Sequence, residues 1–132
     1  MAEFAVQQGM FQALSGLGLT VYDVQPQASD GGSAAAFPCV TVGTIVFAPW
    51  DVKESTGFDF IARVHTWSRS GSMKEAKEIQ TAIYTRLHRG TITVTGYGLV
   101  DLMRETSDIM QMADGSFHGV CEYRGLIEKS GI

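Results

Sequence analysis

The sequence predicts an α+β fold, a single domain over residues 1–132 with an antiparallel β-sheet and two α-helices packed on one face. Three observations carry this expectation. Helix-like and strand-like runs follow in the order helix, strands, helix, strands. The 15 glycines punctuate many short elements, which suits strands and turns better than a helical bundle. Two strand-like runs also flank the aspartate–glycine turn ADGS, as in an antiparallel hairpin.

The first segment, AEFAVQQGMFQALSGLG, places Val6, Met10, Ala13, Leu14 and Leu17 at helical spacing, and Gly16 and Gly18 supply the stop. Leu19–Val24 reads as a short strand, followed by a loop of small and polar residues over 25–36. In PCVTVGTIVFAPW, Cys39, Thr41, Gly43 and Ile45 alternate with Val40, Val42, Thr44 and Val46, the pattern of a strand. A turn, APWDVKESTG, leads into FDFIARVHTW. There Phe58, Phe60, Ala62 and Val64 share one face, and Ile61, His65 and Trp67 the other.

The second helix is the most fully specified element. Ser72 and Glu75 form an S-x-x-E capping box, and Met73, Ala76, Ile79, Ile83 and Leu87 make an apolar stripe. His88 and Arg89 stand at the negative end of its dipole, with Gly90 suited to a left-handed cap. TITVTGYG, the long run LVDLMRETSDIMQM and FHGVCEYRGLIE complete the chain, the last two pairing across ADGS.

Composition narrows the function. An apolar fraction of 45% with 18% charged residues is that of a folded protein, and 132 residues suffice for one core. The net charge of −4 argues against nonspecific nucleic-acid binding as the main task, which needs a basic face. Cys39 and Cys121 read as reduced thiols of a cytoplasmic protein. The N-terminus lacks the basic-then-apolar pattern of a secretion signal, and no apolar run approaches the ~20 residues of a membrane span.

Candidate chemistry is sparse. SRSGS before the second helix could hold a phosphate, but one glycine and no G-x-x-x-x-G-K-[ST] pattern leave an ordinary capped corner. Arg69 in this loop and Arg63 on the strand before it suit an acidic partner. His118 and Cys121 point to opposite faces of a strand and cannot share a metal, and His65 and His88 read as polar residues on a half-exposed sheet and a helix end. No G-x-S-x-G elbow occurs, Cys39 lies in an apolar strand, and the pairs Asp51/Glu54 and Glu105/Asp108 read as solvated carboxylates. No catalytic, metal-binding or cofactor-binding residue is predicted.

What stands out instead is apolar material near turns. VFAPWDV sets Phe47, Pro49, Trp50 and Val52 around one turn, and Met103, Met110 and Met112 approach the tip of the hairpin. Tryptophan, phenylalanine and methionine are enriched at subunit interfaces, though core packing accounts for such residues equally well. The candidate interface is therefore Phe47, Trp50, Val52, Arg63, Arg69, Met103, Met110 and Met112.

The succession of an N-terminal helix, FPCVTVGT, GFDFIARVHTWSR, a glycine loop, MKEAKEIQTAIYTRL and a closing hairpin ending ADGSFHGVCEYRGLIE resembles the tail-completion, or tail terminator, proteins of long-tailed bacteriophages and gene transfer agents. The resemblance implies a structural virion protein made in the host bacterial cytoplasm. It would form a ring, usually of six copies, at the head-proximal end of the tail tube. Its partners would be its own copies, the tail tube protein and a head-completion or neck protein, with genomic DNA passing through the lumen. It implies no enzyme activity and no cofactor. The terminal hairpin and the strand at 38–47 are the candidate edges for pairing with a neighbour. Six copies at −4 would give a ring of about −24, screened over roughly 8 Å in physiological salt. Other neck, connector or minor tail rings remain open, as do a small ligand-binding or regulatory α+β domain and a small enzyme with an unrecognised site.

Overall fold

The computed structural model describes residues 2–22, 38–50 and 56–129. Helix α1 (Ala2–Ser15) is followed by strands β1 (Val21–Tyr22), β2 (Cys39–Pro49) and β3 (Gly57–Ser68). Helix α2 (Met73–Leu87) and strands β4 (Tyr97–Gln111) and β5 (Phe117–Lys129) complete the order. The strands form one five-stranded sheet in the order β1-β2-β3-β5-β4. Every pairing is antiparallel except that of β1, which joins β2 in parallel through Val21 and Tyr22. The sheet is therefore mixed, with β1 running alongside β2 in the same direction. The predicted loop over 25–36 lies outside the described residues, as does the end of the predicted Leu19–Val24 strand.

One core forms between the sheet and both helices. Val6, Met10 and Leu14 of α1 and Ile79, Ile83 and Leu87 of α2 pack with Val40, Val42, Phe60, Ala62, Val64, Leu102, Tyr123 and Ile127. The predicted faces of β3 hold: Phe60, Ala62 and Val64 are buried, while Ile61 is 37% exposed on the opposite face. β2 departs from simple alternation. Its register with β3 shifts between Val42 and Ile45, so Ile45 and Phe47 pack on the core with Val40 and Val42. A bulge inserts an extra residue and re-aims all that follow. Gly43 sits at this shift, where a Cβ would meet His65 Nε2 at 2.6 Å.

Two features of α2 also differ from expectation. The Ser72 hydroxyl accepts the Lys74 N–H at 3.4 Å, but Glu75 does not complete the box. Its carboxylate instead accepts the hydroxyl of buried Ser68 at 2.6 Å, tying the helix start to the end of β3. At the other terminus the left-handed residue is Arg89, with φ 55°, and not Gly90. Gly90 is held by crowding, since a Cβ there would lie 2.2 Å from the Arg86 carbonyl oxygen. The predicted hairpin is present in full: Phe117 faces Gln111, and Gly115 takes φ 89° in the turn. Asp114 accepts both the Ser116 amide at 2.9 Å and its hydroxyl at 2.6 Å. Those bonds hold its carboxyl below the usual carboxylate range.

Candidate functional site

The helices cover one face of the sheet, and among the described residues no element covers the other. By register, rows of side chains cross this open face from β2 to β4. One row runs Val46, Ile61, Arg124, Met103, and another Trp67, His118, Met110. Val46 is 61% exposed and pairs directly with Ile61. Arg63 donates to Glu122 at 2.9 Å, and Thr106 donates to the same carboxylate at 3.3 Å. Arg124 bonds Asp59 from both its Nε and Nη2, and approaches Glu105 at 3.8 Å. Asp101, Met103, Glu105, Arg124 and Leu126 line a shallow cavity of about 270 Å³ on this face.

At the Ser68 end of β3 the open face carries an aromatic cluster. Trp67 and His118 stack with centroids 3.8 Å apart and planes 5° from parallel. A hydrogen bond joins His65 Nδ1 and His118 Nε2 at 2.8 Å, which requires one nitrogen protonated and the other bare. The Trp67 indole donates to Thr41 at 3.4 Å. Burial, then the charges of His118 and Arg63, lower the affinity of His65 for protons, and burial does the same for His118.

Cys39 and Cys121 are buried free thiols. Burial pushes Cys39 up to about 11 and raises Cys121 as well, so neither is a ready thiolate at neutral pH. Among the described residues no group of three or more His, Cys, Asp or Glu is placed to hold a metal ion. No described helix is long and apolar enough to cross a membrane.

The described residues of the predicted interface do not form one patch. Phe47 turns inward, edge-on to Phe58 at 6.0 Å and 5.8 Å from Phe60, so it belongs mainly to the core. Trp50 is half-buried, its backbone N–H donating to the Gly57 carbonyl at 2.8 Å and its ring lying against Gly57. Val52 lies outside the described residues. About 35 Å away, at ~3.3 Å per residue along β3, Met110 and Met112 are 49% and 39% exposed near the hairpin tip. Arg69 is exposed in the loop after β3. Arg63 and Met103 lie between, on the open face.

The histidine–tryptophan cluster was not predicted as a unit, although alternation on β3 and the hairpin turn together determine its register. The charge layout was likewise hidden. Asp59, Asp101, Glu105, Glu122 and Glu128 outnumber Arg63 and Arg124 on the open face. Lys74, Lys77, Arg86, Arg89 and Arg104 outnumber Glu3, Glu75 and Glu78 on the helix side. Among these described residues the open face carries the acidic excess and the helix side the basic one.

A family model described as "Tail completion protein gp17" matches residues 12–128. The chain belongs to this family. The tail-completion protein is accordingly a structural component of the phage tail, and its place is the virion. Its fold is similar to that of a chain in the structure titled "Virion of native gene transfer agent (GTA) particle". The TM-score is 0.78 at 18% identity, over 96% of this chain and 97% of the other. No curated protein matches.

Proposed function

We propose that this tail-completion protein forms a closed ring on the head-proximal end of the tail tube, stops tube growth there and offers its far side to a head-completion or neck protein. Membership of the tail-completion family is the observation that carries this reading. A ring built head to tail needs two different patches on each subunit, and the chain presents distinct surfaces at the two ends of its sheet. Trp50 marks one end, and Met110, Met112 and Arg69 the other. The work asked of such a protein is adhesion and shape, with no catalytic step.

The open sheet face lines the lumen in this proposal. Its excess of carboxylates repels the phosphate backbone, so DNA slides through without sticking. Ring formation is tested by adding the purified protein to polymerising tail tube protein and imaging the products by negative stain. Tubes of arrested length with extra density at one end are expected. Tubes that keep elongating, with the chain unattached, would remove the reading.

A further inference from the structure

An edge strand left open invites pairing with another chain, and β4 is an edge strand of 15 residues. Its outer side is closed from within at Leu102 and Arg104. The Arg89 N–H donates to the Leu102 carbonyl at 2.6 Å, and the Arg104 N–H donates to His88 Nδ1 at 3.0 Å. Backbone groups two residues apart on a strand point the same way, so both bonds meet the side of β4 turned away from β5. The Asp101 carboxylate takes the Leu102 N–H on the same side at 2.9 Å.

The clamp is itself fastened. The His88 ring stacks on Tyr84 at 4.4 Å, and the Arg104 guanidinium lies 4.3 Å from the centre of the same ring. Arg89 accepts a left-handed backbone, with φ 55°, that a non-glycine residue adopts at a cost. That conformation accompanies the aim of its N–H at Leu102. On the opposite edge, β1 pairs with β2 only at Val40 and Thr41 among the described residues.

We propose that the turn ending α2 is an autoinhibitory clamp that closes β4 against strand addition by a second copy, with His88 as its positioning residue. The inference concerns the single chain and does not rest on ring formation. Nδ1 of histidine and Oδ1 of asparagine sit at the same distance along the side chain. His88→Asn therefore keeps the acceptor for the Arg104 N–H, and His88→Leu keeps bulk without it.

Amide exchange resolved at Arg104 and light scattering over a concentration series test the idea. In the parent chain the Arg104 amide should be protected like a strand-paired one. In His88→Leu its exchange should rise about fivefold or more, as loss of one backbone bond implies, and the mean mass should climb with concentration. His88→Asn, which keeps the acceptor but loses the ring on Tyr84, should stay nearer the parent than His88→Leu does. Equal behaviour of the Leu and Asn variants, or faster exchange without self-association, overturns the proposal. If His88→Leu fails to fold, the parent chain still decides: an unprotected Arg104 amide ends it.

Discussion

Gly125 shows how tightly single positions are determined. A Cβ there would lie 2.3 Å from the Phe60 ring, and Phe60 is fully buried. Gly125→Ala should therefore destabilise the fold by about 1–3 kcal/mol, the usual cost of overpacking, measured as a lower urea midpoint with an unchanged slope. His65 and His118 make a second prediction at this scale. Both bind protons less readily in the fold than in the unfolded chain. The unfolded state thus takes up more protons as pH falls through its ordinary value of 6.5. Stability is complete above that value and is lost below it, toward the folded-state pKa. Urea midpoints at about pH 7.5 and 5.5 should show the drop, and His118→Gln should flatten it.

At the scale of elements, α2 is anchored at both ends by bonds to the sheet in addition to its own caps. Glu75 serves the buried Ser68 hydroxyl, so Glu75→Ala removes a charge-assisted bond, leaves that hydroxyl only its 3.3 Å contacts with Ser70 and should cost about 1–3 kcal/mol. Ser72→Ala removes only a long cap bond of 3.4 Å and should cost about 1 kcal/mol or less. Thermal denaturation of the two variants should rank them in that order. Equal losses would mean that the Ser68–Glu75 bond does no more than an ordinary cap. The hairpin is the converse case, because its pairing was visible in the residues. Asp114 and Gly115 require a tight turn, and the turn sets the register that brings His118 opposite Met110.

For the whole molecule, the separation of charge gives the prediction. If the open face lines a lumen, Glu105→Lys combined with Glu128→Lys should leave assembly intact while making the ring hold DNA. Retention should weaken steeply with added salt. Electrophoretic mobility shifts at low and moderate salt would show it; unchanged DNA binding would take the open face out of the lumen. The separation itself follows from topology. β5 lies between β3 and β4, so Glu122 and Arg124 from the chain's end meet Arg63 and Asp59 from its middle.

By itself the sequence determined the two helices, the buried face of β3, the closing hairpin and the family resemblance. These are written in local periodicity and turn chemistry, which act over a few residues. Tertiary structure alone decided the shift of Ile45 and Phe47 onto the core, the use of Glu75 by Ser68, and the left-handed turn at Arg89 rather than Gly90. It also decided the histidine–tryptophan cluster and the closed edge of β4. Each of these depends on what a distant segment brings alongside: β3 against β2, α2 against β3, β4 against the end of α2. A backbone or side-chain polar group is satisfied by whichever partner the fold delivers to it, and no local pattern records which partner that will be.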